Sequence, residues 1–265
     1  MSNSLSLANV NFNSPTKPMG GRYKNFNTKK LCDAILAITV GGKPYFELRS
    51  IKMKKSRKGE IGRGKQLIRI KTIKPFITVG GETLYPELVI VNSNDGSSQL
   101  EVMMGVFRLV CTNGMIVKTK DLGDFKIRHQ GSEEDAAMEL MKEFARHLPK
   151  WFKVQRQLEA TILDDDTILE LAAAACEYRF LKRFSKEDVA ILVEACRPQD
   201  EGNDAWRVLN RIQEKIMKGG FKVGPMKRTA KTVKSVVQDL ELNQMVYELI
   251  MAASGIEEVE YEMAD

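Results

Sequence analysis

Apolar and polar positions change their period once along the chain, near residue 130. Before it, the runs YFELRSIKM, QLIRIKTIK, PELVIVN, QLEVMMGVFRLVC and GMIVK are rich in β-branched and aromatic residues and are separated by Gly, Pro, Asn and Asp, the mark of short strands. In QLIRIK, Ile68 and Ile70 share one face while Arg69 and Lys71 share the other, so the spacing predicts a half-buried strand with a basic outer surface. From Ser132 onward the period is helical. Ser132 with Asp135 forms a capping box with the shorter acid, and Ala137, Leu140, Met141, Phe144, Ala145 and Leu148 then fall on one face. Further helices are predicted at about 150–162, 167–182, 186–196, 204–218 and 228–253, with Gly219-Gly220 and Gly255 as stops for the last two. A short helix is predicted over KKLCDAILAI (29–38), ended by Gly41-Gly42.

This order predicts an α+β fold, an N-terminal antiparallel β-sheet with hairpins followed by a C-terminal helical part. It divides the chain into a loose Asn/Ser/Pro/Gly-rich arm (1–28), a basic β-rich domain (29–131), a helical region packing on the sheet (132–255) and an acidic tail (256–265). No apolar run approaches the roughly 20 residues needed to cross a bilayer, and the polar N-terminus lacks the basic start and apolar centre of a secretory signal. The four cysteines are far apart and form no CxxC pair, which fits the reducing cytoplasm of a bacterial host cell. With only His129 and His147 beside them, they argue against a zinc site, and no cofactor is expected.

Charge sharpens the picture through its distribution. The net charge is +6, yet residues 48–74 carry eleven Lys/Arg against Glu60 alone, and residues 207–234 carry nine against Glu214 alone. The rest of the chain is therefore acidic, the tail IEEVEYEMAD included. Two basic regions in an otherwise acidic chain are the footprint of a nucleic-acid binder; solvated surface is the bland alternative. Helix 204–218 places Ala205, Leu209, Ile212 and Ile216 on an apolar face and Arg207, Arg211, Lys215 and Lys218 in a basic stripe. Like charges at this spacing repel, Glu214 covers part of the cost, and a phosphate backbone, an acidic partner or the acidic tail would cover the rest. A second stripe, Lys227–Lys231–Lys234, begins the predicted final helix.

Four stretches invite a catalytic reading and none sustains it. NSNDGSS (92–98) between two apolar runs is a hairpin signal, because Asp-Gly supplies the positive φ angles of a tight turn, and TNG (112–114) reads the same way. Cys111 has no histidine near it in sequence and reads as a small buried thiol. GEIGRGKQ (59–66) nearly spells a P-loop, but Gln66 stands where a hydroxyl would hold magnesium, and the segment precedes a strand where a helix is needed. It reads as a flexible basic hairpin tip. LDDDT (163–167) offers three adjacent carboxylates, which serve better as a helix N-cap at Asp165 or Asp166 than as a metal site. Arg108, within the apolar VFRLV, must be paired, at a surface or bound to a ligand anion; an internal salt bridge and a phosphate contact are both open.

The segment PELVIVNSNDGSSQLEVMMGVFRLVCTNGMIV followed by KIRHQGS resembles the core of the phage/plasmid-like proteins, a bacterial and viral domain family of unknown function. Its hallmark falls on Asn92, Ser93, Asp95, Gly96, Ser97, Phe107, Arg108, Val110, Cys111, Thr112, Asn113, Gly114, Arg128 and His129. AWRVLNRIQEKIMKGG resembles the family's aromatic-Asn-Glu helix through Trp206, Asn210 and Glu214. Asn94 departs from the pattern, standing where a histidine is common, which weakens an acid–base role for that loop. The resemblance implies a mobile-element setting, phage or plasmid, and supplies no activity. In outline the β-then-α order with a basic sheet is also similar to phage single-strand annealing recombinases.

These observations predict a non-enzymatic DNA-binding protein, single-stranded DNA binding or annealing in recombination or replication, acting as a homo-oligomer. Lys52, Lys54, Lys55, Arg57, Lys58, Arg63, Lys65, Arg69, Lys71 and Arg108 are the expected phosphate contacts from the sheet, and Arg207, Arg211, Lys215, Lys227, Lys231 and Lys234 form a second wall. Tyr23, Phe26, Tyr45 and Phe46 are the nearest aromatics for base stacking. No metal and no membrane are expected. The alternative is an interaction protein whose basic regions or acidic tail engage a host factor.

Overall fold

A computed structural model of the chain describes residues 27–53, 64–79, 82–93, 100–108, 114–117, 132–222 and 228–256. The architecture is α+β. A helix, α1 (Thr28–Leu36), leads into a small ribbon of β1 (Thr39–Val40) and β2 (Lys43–Pro44). The main sheet follows, built from β3 (Phe46–Met53), β4 (Lys65–Thr72), β5 (Ile77–Val79), β6 (Glu82–Ser93), β7 (Glu101–Arg108) and β8 (Gly114–Val117). Its order is β3-β4-β6-β7-β8, all antiparallel, with β5 paired to the start of β6. The helical part comprises α2 (Glu133–Ala160), α3 (Asp165–Phe180), α4 (Lys186–Val193), α5 (Ala205–Lys218) and α6 (Val236–Ala253), with a 3-10 turn at Pro198–Asp200.

Alternation along the strands sends Ile68, Ile70, Leu88, Ile90, Val102 and Met104 to one face, into a core shared with α1, α2 and the remaining helices. Phe46 belongs to this core, 5.6 Å ring to ring from Phe144 of α2. The other face carries Leu67, Val89, Val91 and Met103, which pack on Val236 and Leu240 of α6. Both faces are therefore covered. The expected basic outer surface of β4 is corrected accordingly: Arg69 is as buried as its apolar neighbours. Strands β6 and β7 pair as antiparallel neighbours in sequence, as the hairpin reading of 92–98 requires; residues 94–99, residues 59–63 of the P-loop-like segment 59–66 and Cys111 lie outside the described residues.

Three helix boundaries differ from the sequence expectation. Pro149 does not separate two helices but lies inside α2; Pro149 and Ala145 face solvent, where water can satisfy the carbonyl that a proline leaves without a donor. The N-cap of α3 is Asp164, accepting from the Thr167 backbone N–H at 2.8 Å, with Asp165 and Asp166 in its first turn. The last helix begins at Val236, capped by Ser235, so Lys231 and Lys234 stand on a non-helical segment and form no helical stripe. The Ser132–Asp135 capping box is present in both directions. Among the described residues no helix is long and apolar enough to cross a membrane.

Cys32 and Cys176 are fully buried, and burial pushes both thiols up to about 12. Alkylation of the native protein at pH 8 is expected to modify exposed Cys196 and to spare Cys32 and Cys176 until denaturant is added. Mass-spectrometric mapping checks this; native labelling of Cys32 would show that α1 is not docked as described.

Candidate nucleic-acid interface

The covered face of the sheet meets the helices across a cleft of about 540 Å³, lined by Arg49, Ser50, Lys52, Met53, Arg69, Met217, Lys218, Thr232, Val233, Lys234, Asp239 and Asn243. Its floor is β3 and β4. The register of that pair slips between Leu48 and Ser50, and a bulge of this kind re-aims the extra residue. Arg49 is thereby turned onto the α6 side, where its Nε lies 2.9 Å from Glu87 Oε2. Burial lowers the Arg49 guanidinium from its ordinary value, the Glu87 charge working against that shift. Arg69, on the neighbouring strand β4, holds the other Glu87 oxygen at 2.6 Å and reaches Asp239 of α6 at 3.2 Å. Lys52 pairs with the second Asp239 oxygen. The result is one alternating chain, Arg49–Glu87–Arg69–Asp239–Lys52, running from sheet to helix.

The wall is built by the segment after α5 folding back on itself. Gly220 N–H donates to Ala230 O (2.9 Å), Ala230 N–H to Phe221 O (2.8 Å) and Val233 N–H to Met217 O (2.9 Å). Thr232 Oγ1 donates to Lys218 O at 2.7 Å, and Arg179 grips the Ile216 and Lys231 carbonyls. This ladder sets Lys218 and Lys234 together on the cleft rim. Gly219 makes it possible, with φ +71 and no room for a Cβ, which would stand 2.5 Å from Ala230 O. Behind, Asn243 donates to Asp239 Oδ1 (3.0 Å) and accepts from Gln213 (2.5 Å).

The balance of charge favours an anion. Among the described residues five cations line the cleft, Arg49, Lys52, Arg69, Lys218 and Lys234. Among the described residues the carboxylates that pair with them are Glu87, Asp239 and Glu214, three against five. Lys234 is exposed and makes no ion pair among the described residues.

The expected phosphate contacts are thus sorted by the fold. Lys52 and Lys234 reach the cleft, and Arg69 reaches it from within an internal ion-pair network. Lys71 pairs with Glu47 and lies 4.4 Å above the Tyr85 ring; Lys65 stands partly buried at the head of β4, outside the lining. Arg207 pairs with Asp204 (2.6 Å) and donates to Gln199 O (3.1 Å). Lys215 caps carbonyls of Ile191 and Glu194, and Lys231 is exposed. Arg108 is placed inside, 2.8 Å from Asp200 and over the Trp206 ring, so the internal salt bridge is the alternative realised. Lys54, Lys55, Arg57, Lys58, Arg63, Lys227, Tyr23 and Phe26 lie outside the described residues. Phe46 is in the core with Tyr45 edge-on to it at 4.9 Å, and among the described residues no aromatic side chain lines the cleft. Arg49, Glu87 and Asp239 are not singled out by the sequence; Glu87 alone carries a local signal, a charge inside the otherwise apolar YPELVIV.

Described residues of the two hallmark segments come together in space, Arg108 over the Trp206 ring. Asn92 donates to Thr28 Oγ1 at 2.7 Å, tying β6 to α1. Arg108 ends β7 against Asp200 and Trp206, Asn210 donates back to Trp206 O (2.6 Å), and Glu214 is shared by Arg197 and Lys218. A profile described as "Domain of unknown function (DUF932)" matches residues 19–247. The chain belongs to the DUF932 family. Two proteins of Escherichia coli (strain K12) are similar to it, UPF0380 protein YfjQ at 29% identity and UPF0380 protein YafZ at 28%, each over 165 residues that make up 61% of this chain and 60% of the relative. The chain therefore spans about three fifths of the length of these curated relatives. No solved structure matches it. What this DUF932 chain offers beyond the family description is the geometry of its cleft.

Removing one member of the internal charge chain strands the others in a dry setting. Asp239→Ala is expected to destabilise the fold by about 3–5 kcal/mol, because Arg69 and Lys52 lose a buried counter-charge. Urea unfolding checks this; a destabilisation below about 1 kcal/mol would show that the charge chain is not the link between sheet and α6.

Proposed function

We propose that this protein is a non-enzymatic nucleic-acid-binding protein of a mobile element, which holds single-stranded DNA in the cleft through its phosphates in the service of strand annealing during recombination or replication. One observation supports the DNA-binding part. The two basic runs, far apart in sequence, face each other across one concave site: Arg49, Lys52 and Arg69 on the floor, Lys218 and Lys234 on the rim. Cations so arranged release counterions when they meet a polyanion, which gives salt-sensitive affinity with little reading of sequence. The apolar lining is Met53, Met217 and Val233, which gives bases a greasy contact but no stacking platform. The setting rests on the phage/plasmid-like resemblance, and annealing on the order of sheet and helices.

Fluorescence anisotropy with a labelled 12-nucleotide strand and its duplex, across salt concentrations, tests the reading. The single strand is expected to bind the tighter, with similar affinity for thymine and adenine tracts. Lys218→Gln combined with Lys234→Gln is expected to make the logarithmic salt slope shallower by about 1.4, at about 0.7 for each phosphate no longer neutralised. Absence of wild-type binding at low salt would overturn the proposal and turn the cleft towards an acidic protein partner.

A further inference from the structure

The rim of the cleft continues along α5 to a second cation that has no ion-pair partner among the described residues. Arg211 is seven residues before Lys218, so the two share one face of the helix, two turns and about 10 Å apart. Arg211 is only 8% exposed, and its Nε is buried with no hydrogen-bond partner. The carboxylates around it are each engaged by another donor. Asp204 caps α5 through the Arg207 N–H and pairs with the Arg207 guanidinium. Asp200 is divided between Arg108 and Arg197, and Asp165 accepts from Asn203 at 2.7 Å. Glu214, one turn on, is held by Arg197 and Lys218. Burial lowers the Arg211 guanidinium from its ordinary value, with Asp204 and Asp200 acting at a distance against the shift. A desolvated cation without a bonded counter-charge is costly, and an oxyanion from outside would relieve it.

Resting on the proposed nucleic-acid reading, we infer that Arg211 is a second phosphate position, collinear with Lys218, and that the ligand is an oligonucleotide long enough to engage both. At a stacked rise of about 3.4 Å per nucleotide, about 10 Å corresponds to about three nucleotides. A dinucleotide fills the cleft alone; a longer strand also reaches Arg211. The site's chemistry thereby selects a polymer over a nucleotide, through spacing and without contact to any base.

Arg211→Gln and Arg211→Lys variants, with thermal unfolding as a check on folding, separate the possibilities in anisotropy titrations against a labelled dinucleotide and a labelled 12-nucleotide strand. The expected result is that Arg211→Gln weakens the 12-nucleotide strand about 5- to 10-fold, makes its salt slope shallower by about 0.7, and changes dinucleotide affinity less than about 2-fold. Arg211→Lys, which keeps the point charge, should restore most of the slope. If Arg211→Gln weakens both probes equally, its effect is structural and the second position is wrong. If it changes neither, while the Lys218/Lys234 double variant shows its shallower salt slope, the strand ends at the cleft and the inference fails with the function intact. Failure of the wild type to bind either probe would instead remove the function itself.

Discussion

The interaction on which the rest of the molecule depends is the buried sequence Glu87–Arg69–Asp239. Arg69 sits at the centre of the sheet face with only 4% of its surface exposed, and a guanidinium there is tolerable only with a carboxylate on each side. Glu87 supplies one from the neighbouring strand, and Asp239 supplies the other from a helix 170 residues later. Satisfying Arg69 therefore fixes where α6 crosses the sheet. With α6 placed, Val236 and Leu240 cover Leu67, Val89, Val91 and Met103. The cleft is the space between this crossing and the fold-back after α5, and its position is a consequence of the ion chain.

That dependence explains what can and cannot be read from the sequence. Alternation in QLIRIK correctly separates Ile68 and Ile70 from Arg69 and Lys71, since period two is a property of the strand itself. It cannot say that a helix will cover the polar-looking face, because the cover comes from residues 236–243 and leaves no local trace. Ser132 with Asp135 is legible because capping is settled within four residues. Pro149 misleads for the opposite reason. A proline breaks a helix in isolation, whereas here Phe144, Leu148 and Trp151 bury on both sides of it and hold one continuous run. The non-helical course of residues 229–234 is likewise hidden, since its hydrogen bonds go to Met217, Lys218 and Phe221 rather than along a helix.

The hallmark residues take on a structural meaning once the fold is known. Asn92, Arg108, Trp206, Asn210 and Glu214 each join elements that are remote in sequence or brace the end of one that does. Arg108 and Trp206 belong to different hallmark segments and touch. In this chain these five hallmark residues serve the assembly of sheet and helices, and the candidate binding cations lie beside them.

The same ion network also sets how the cleft would bind an anion. Most of its cations already have carboxylate partners, so the field in the cleft comes from a small excess of positive charge held on a rigid frame. Lys52 illustrates the balance. It is still 39% exposed while pairing with the nearly buried Asp239, so an incoming phosphate would share it with the carboxylate and need not break the pair outright. Binding through shared cations is weaker per contact than binding through unpaired ones, and affinity then has to come from several positions engaged along one ligand. A polyanion meets that requirement and a single small anion does not. This is the physical reason that a cleft with so modest a net charge can still be a nucleic-acid site, and why its occupant is expected to extend beyond it along α5.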